Sequence, residues 1–317
     1  MIHPWTAPVL DSVRARLGRL PHALLVHGPR GVGKLSLAER IAQLLLCEHA
    51  DAGQRPCGAC AACRWYQAGN HPDFRRLEPE ALMKEPVLEP QEETPTSARK
   101  GKPSLVIKIE QVRQLADFLY IGSHRGRMRV ALVHPAEDMN ENAANALLKG
   151  LEEPPAGAVF LLVSHRPARL LPTIRSRCVA LPVPVPPRDA ALAWLAGQRI
   201  KGAQRWLSYA GGAPLRAMEF AADAAAIEQA LCNPSPVEDR EDLERLVEAL
   251  QKVALDRAFA AFGLPPKYET GASPVRPEQA RAWLTYARAM GENRVLARHP
   301  LNVALLSTEL FLSQPKP

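Results

Sequence analysis

The loop Gly28-Pro29-Arg30-Gly31-Val32-Gly33-Lys34 constrains this chain more than any other feature. It lies between the apolar run Ala23-Leu24-Leu25-Val26 and a segment of helical periodicity. A strand that turns through glycines into a helix aims backbone N–H groups and a lysine at a phosphate, as a Walker A loop does. Such a loop next needs Ser or Thr, whose hydroxyl holds Mg²⁺. Here the position is Leu35, and Ser36 comes one residue too late to point the same way. The second metal anchor, an acidic pair ending a buried strand, is also missing. The candidate strand Arg129-Val130-Ala131-Leu132-Val133 runs into His134 and Pro135, and the proline ends it before Glu137 and Asp138. Gly28, Gly31, Gly33 and Lys34 therefore stay candidate nucleotide contacts in a degenerate loop. A Gly-rich turn without ligand and a site of residual nucleotide binding both rank above hydrolysis of ATP with Mg²⁺.

The chain's 317 residues suffice for a large core and two or three domains. No apolar run reaches the roughly 18 residues that a membrane helix needs. The start, Met1-Ile2-His3-Pro4-Trp5, does not read as a signal peptide, so the expected location is the cytoplasm, with no membrane partner. A net charge of +7 permits contact with nucleic acid, but the charge is spread along the sequence. Aromatic residues, at 5%, offer no stacking platform for single strands.

Four of the six cysteines, Cys47, Cys57, Cys60 and Cys63, follow the spacing C-x9-C-x2-C-x2-C. In a reducing compartment such spacing reads as a tetrahedral Zn²⁺ site rather than as disulfides. Gly58 supplies the turn, and Cys47 reaches in from the end of the preceding helix. A closed four-Cys shell makes the zinc structural. Cys178 and Cys232 stand apart and read as small buried apolar residues.

Periodicity predicts a helix over 35–47 that packs the loop onto a sheet, since Leu37, Ile41, Leu44 and Leu45 share one face. The segment Lys84–Lys102, rich in proline and glutamate and then basic at Arg99, Lys100 and Lys102, has no periodicity and reads as a flexible loop over about 84–104. Ordered structure resumes at Leu105-Val106-Ile107, before a helix carrying Val112, Leu115, Ala116 and Leu119. Strands follow at Val130–Val133 and Val159–Val163. A helix between them starts at the N-cap Asn140 and ends at Glu153 before Pro154-Pro155. Strands alternating with helices imply a parallel α/β sheet. The proline tract 181–187 marks a boundary, beyond which only helical patterns appear. One group, with Leu192, Leu195, Ile200, Trp206 and Leu207, precedes the break Asn233-Pro234-Ser235-Pro236. Long amphipathic helices are then expected over 240–262 and 277–312.

Two stretches carry a resemblance. The first runs Asn145-Ala146-Leu147-Leu148-Lys149-Gly150-Leu151-Glu152-Glu153-Pro154-Pro155, and the second is Ser176-Arg177-Cys178. Both are similar to signatures of bacterial clamp-loader AAA+ subunits. With the altered Walker sequences, the four-Cys insertion and the C-terminal Asn302-Val303-Ala304-Leu305-Leu306-Ser307-Thr308-Glu309, nearly the whole chain resembles the DNA polymerase III delta-prime family. The resemblance implies an AAA+ P-loop-like domain over 1–183 with a zinc module at about 47–63, a small helical lid over 184–232, and a helical collar or oligomerisation domain over 233–317.

It also implies a non-hydrolytic subunit of a polymerase holoenzyme. Its partners would be tau/gamma-type and delta-type subunits and, through the complex, the sliding clamp and primer-template DNA. Arg177, flanked by Ser176 and Cys178, would act in trans in a neighbour's ATP site, as an arginine finger does. Arg175 competes for that role. Lys149, Glu152 and Glu153 would belong to the subunit contact. The sensor-2 arginine of active loader ATPases would fall at Leu215, with Arg216 about 100° of helix out of place. The alternatives are an active tau/gamma-type ATPase, which needs Ser or Thr at 35 and acids at 134–135, and a zinc-dependent DNA-binding protein.

Overall fold

The computed structural model describes residues 2–83, 103–121, 128–232, 234–273, 275–296 and 301–315. They fall into two units, Met1–Val185 and Pro186–Pro317. The first contains α1 (Ala7–Arg14), β1 (Ala23–His27), α2 (Lys34–Leu46), α3 (Ala61–Gln67), β2 (Phe74–Leu77), α4 (Ile109–Tyr120), β3 (Arg129–Val133), α5 (Glu141–Glu152), β4 (Ala158–Ser164), α6 (Pro172–Arg177) and β5 (Val179–Pro182).

The strands form one sheet in the order β2-β3-β4-β1-β5, with every pairing parallel. Helices cover both faces of such a sheet, so its central strands need apolar residues at every position. All of β3 and β4 is buried, and both strands are apolar except for Arg129 at the start of β3 and Ser164 at the end of β4. Ala23, Leu25, Ala131, Val133, Phe160 and Leu162 join a core with α4, α5 and Ile174 of α6. At the other alternate positions, α2 packs against β1, β3 and β4 through residues that include the buried Leu37, Ile41 and Leu44. Each large side chain in these layers contributes about 1.5–3 kcal/mol by leaving water. The edges are protected by polar or proline residues: β2 exposes Arg75 and Arg76, and β5 ends in Pro182. The order places β1 between β4 and β5. The loop after β1 therefore leaves the carboxyl end of the sheet at its middle, where open α/β sheets hold ligands.

The helix expected over 35–47 spans Lys34–Leu46, and the one expected from Asn140 spans Glu141–Glu152. The Asn140 side chain caps the latter by accepting from the Ala143 N–H at 2.7 Å. Ile107 forms only an isolated bridge to Met139, while Leu105 and Val106 are exposed. The loop expected over 84–104 lies outside the described residues up to 102. At its end, the Ser104 N–H donates to Glu80 Oε2 at 3.0 Å.

In the second unit the described elements are all helical: α7 (Arg188–Gly197), α8 (Ala203–Tyr209), α9 (Pro214–Ala222), α10 (Ala224–Cys232), α11 (Arg240–Ala261), α12 (Ala280–Leu296) and α13 (Val303–Leu312). One buried cluster unites Leu195, Trp206, Tyr209, Phe220 and Ile227; a second unites Leu246, Leu250, Trp283, Met290 and Leu310. Two expectations are corrected here. The helix expected over 277–312 is two helices, because the Asn302 side chain accepts from the Leu305 N–H at 3.1 Å and so starts a new one. Residues 297–300 lie outside the description. Cys232, expected to be buried, is exposed near the end of α10.

An ionic cluster centred on the buried Glu248 and Lys252 ties the helices of this unit together. Glu248 on α11 meets Arg216 Nη2 at 2.8 Å, Arg294 Nη2 at 2.8 Å and Lys252 Nζ at 2.9 Å. Burial pushes the Glu248 carboxyl up, but Lys252, Arg294 and Arg216 outweigh it and draw the pKa down to about 2. The Lys252 ammonium also lies over the rings of Tyr209 and Phe220, at 3.6 and 4.0 Å from their centroids.

Candidate functional site

The four cysteines predicted from spacing come together. Their sulfurs all lie within 4.8 Å of one another, a group able to hold a metal ion. Cys47 is the C-cap of α2, and Cys60 caps the start of α3, which carries Cys63. Gly58 turns the chain between them in the left-handed conformation, φ 74°. Cys47 Sγ lies 3.6 Å from Cys57 Sγ and 3.9 Å from Cys60 Sγ. Four thiolates around one tetrahedral zinc, at about 2.3 Å each, stand about 3.8 Å apart, so the residues fit that ion. The backbone N–H groups of Cys57, Cys60 and Cys63 donate to Cys47, Cys57 and Cys60 sulfurs at 3.4, 3.3 and 3.4 Å. Donors of this kind favour thiolates: those of Cys60 and Ala59 draw Cys57 down to about 6, while burial pushes Cys47 and Cys63 up.

Several residues of the phosphate loop contact the protein's own groups. Lys34 is buried and donates from Nζ to the Pro29 carbonyl at 2.5 Å. Burial lowers its pKa to about 8, against an opposing pull from Glu137. Trp5 donates its indole N–H to the Val32 carbonyl at 2.9 Å and stacks on His3 at 5.0 Å. A side chain at Gly33 would run into the His3 ring, and one at Gly28 into the Val183 carbonyl oxygen. Leu35 and Ser36 lie in the first turn of α2, and the end of β3 carries no carboxylate. There, His134 packs edge-on against His165, with centroids 5.3 Å apart. Burial lowers the pKa of His134 to about 4 and of His165 to about 3, so both rings are neutral at pH 7. Glu137 Oε1 accepts the His165 and Arg166 N–H groups at 2.8 and 3.1 Å. The two protein anchors that a nucleotide-bound Mg²⁺ requires are replaced by a leucine and an imidazole.

Arg177 ends α6 at the molecular surface. The buried Ile174 anchors this short helix, and Cys178 packs against the same core, its thiol pushed up to about 11 by burial. Ser176 Oγ donates to the Thr173 carbonyl at 3.0 Å. Arg177 Nη1 donates to that carbonyl at 3.1 Å, and its Nη2 lies 2.6 Å from Glu152 Oε1. In the Ser-Arg-Cys triplet the flanking residues thus fix the backbone and leave the arginine at the rim. Arg175 is exposed on the same helix, and Lys149, Glu152 and Glu153 are exposed at the end of α5. Arg216 serves the Glu248 cluster and also pairs with Glu219. The contact between Arg177 and Glu152, the imidazole pair and the aromatic cover on the loop were not foreseen from sequence. In each, the partners are far apart in the chain.

Residues 9–186 match a family profile described as DNA polymerase III, delta subunit. A DNA polymerase III subunit delta' of Pseudomonas aeruginosa is 40% identical over 223 residues, which are 69% of this chain and 61% of the relative. That of Escherichia coli is 36% identical over 195 residues, 61% of this chain and 52% of the relative. The chain thus spans about half to three-fifths of the length of these relatives. In structure, a DNA polymerase III gamma subunit-related protein of Thermotoga maritima is similar with a TM-score of 0.53 and 16% identity, over 96% of this chain and 97% of that one; this likeness is one of fold. No helix among the described residues is long and apolar enough to cross a membrane. With the profile covering more than half of its sequence, the chain belongs to the DNA polymerase III delta-prime family.

Proposed function

We propose that this chain is a delta-prime-type subunit of a cytoplasmic clamp loader, within a DNA-directed DNA polymerase holoenzyme. It supports ATP-dependent loading of the sliding clamp onto primed DNA and does not hydrolyse ATP itself. Its direct partners are tau/gamma-type and delta-type subunits; clamp and primer-template DNA are reached through the complex. The 184–232 helices serve as a lid and the 233–317 helices as an oligomerising collar. Cys47, Cys57, Cys60 and Cys63 hold one structural Zn²⁺, which fixes the turn between α2 and α3.

The observation that carries this reading is an asymmetry. The chain's own nucleotide site has Leu35 and His134 where metal anchors belong, yet Arg177 lies accessible at the end of α6. A planar guanidinium there can enter a neighbour's nucleotide site and stabilise charge on the γ-phosphate. The test is ATP hydrolysis and clamp loading by complexes reconstituted with tau/gamma-type and delta-type subunits. Arg177→Ala is expected to enter the complex and reduce both rates partially, because other sites keep their own arginines. Removing a finger costs on the order of 10³-fold at a single site. Wild-type rates with Arg177→Ala refute the role, and a defect confined to Arg175→Ala transfers it to that residue.

A further inference from the structure

We infer that Glu152 is the positioning residue for Arg177, holding its guanidinium ready for a phosphate in the neighbouring subunit. The inference rests on the trans role proposed for Arg177. Glu152 is the last residue of α5 and Arg177 the last of α6, and the two helix ends meet at the 2.6 Å contact between Oε1 and Nη2.

Helix electrostatics does not account for an acid at this position. The C-terminal end of a helix carries partial negative charge, which disfavours a carboxylate and favours a cation. Arg177 suits the end of α6; Glu152 opposes the end of α5. Nor does stability account for it. Both side chains are substantially exposed, 35% for the arginine and 49% for the glutamate, and an exposed ion pair contributes little to folding. The contact instead has a geometric consequence for the arginine.

A free surface arginine samples many rotamers. Here the guanidinium is held from two directions, by Glu152 on Nη2 and by the Thr173 carbonyl on Nη1, with Ser176 Oγ 3.4 Å from Nη1. Three acceptors leave at least two of the five N–H donors for an incoming phosphate. A group already fixed in direction loses less freedom on engaging a transition state, so the gain falls on turnover rather than on ATP affinity. The family signature that ends in Glu152-Glu153-Pro154-Pro155 and the one that contains Arg177 then act as one device, although they lie on different helices.

The experiment uses the reconstituted complex and a double-mutant cycle of Glu152→Gln with Arg177→Ala, read as DNA- and clamp-stimulated kcat and KM for ATP. Glu152→Gln is expected to lower kcat about two- to threefold with KM unchanged, to leave Arg177→Ala complexes no slower than they already are, and to be partly rescued by Glu152→Asp. An unchanged kcat, a raised kcat, or an equal fall in both backgrounds overturns the assignment while the trans role stands. If Arg177→Ala alone has no effect, the trans role fails first and this inference falls with it.

Discussion

Trp5 donates its indole N–H to the carbonyl oxygen of Val32 at 2.9 Å, and so fastens the first turn of the chain to the altered phosphate loop. His3, stacked on Trp5, fills the space beside Gly33, and Lys34 satisfies itself on Pro29. With the Lys34 ammonium engaged on Pro29 and His3 lying against Gly33, the loop is crowded where a phosphate would sit, and Leu35 and His134 give an arriving Mg²⁺ no anchor.

The isolated protein is therefore expected to release no phosphate from ATP above background in a steady-state assay. Lys34→Ala should change neither that result nor the rate of the assembled complex. Turnover by the pure chain that disappears on Lys34→Ala contradicts the reading.

Purified protein should carry one zinc per chain by metal analysis. Thiolate sites fold the segment around them, so chelation should raise hydrogen exchange over residues 47–63 and spare the sheet. A chain without bound metal, or one that supports full loading with all four cysteines changed to serine, contradicts the assignment.

These cysteines could be read from sequence because their geometry is local: two-residue spacings and one glycine nearly determine it. The middle strands were legible for a similar reason, as unbroken apolar runs belong to a sheet covered on both faces. The edges were not. Phe74–Leu77 contains two arginines and Val179–Pro182 ends in proline, so each four-residue strand looks unlike a strand until the neighbour that pairs it is known. The Ser-Arg-Cys triplet named Arg177, but its partner Glu152 lies on another helix and obeys no periodicity that joins the two. His134 was recognised only as a missing acid. That it packs on His165 requires knowing that β3 and β4 run side by side.

Glu248→Gln should destabilise the helical unit by about 3–5 kcal/mol, since it leaves the buried Lys252 and the half-buried Arg216 and Arg294 close together without their shared carboxylate. Urea unfolding followed by helical circular dichroism measures the loss. A change below about 1 kcal/mol, the value of a surface pair, contradicts the picture of a buried anchor.

The imidazole pair makes stability depend on pH in a stated direction. Burial lowers His134 to about 4 and His165 to about 3, from an unfolded value of 6.5. Between those values the unfolded chain binds more protons than the folded one, so stability rises with pH across that window. The folded state is unpenalised above pH about 6.5 and loses stability progressively as pH falls below it. From pH 7 to pH 5 the loss should be about 2 kcal/mol for each histidine, because neither ring has taken up its proton in the folded state by then. Other groups that titrate over this range contribute equally to wild type and variant, so the comparison isolates the pair. His134→Gln combined with His165→Gln should flatten the urea midpoint between pH 7 and 5 relative to wild type, whatever it does to stability at pH 7. A variant whose midpoint falls as steeply as that of the wild type places the titration elsewhere and removes the pair from the account.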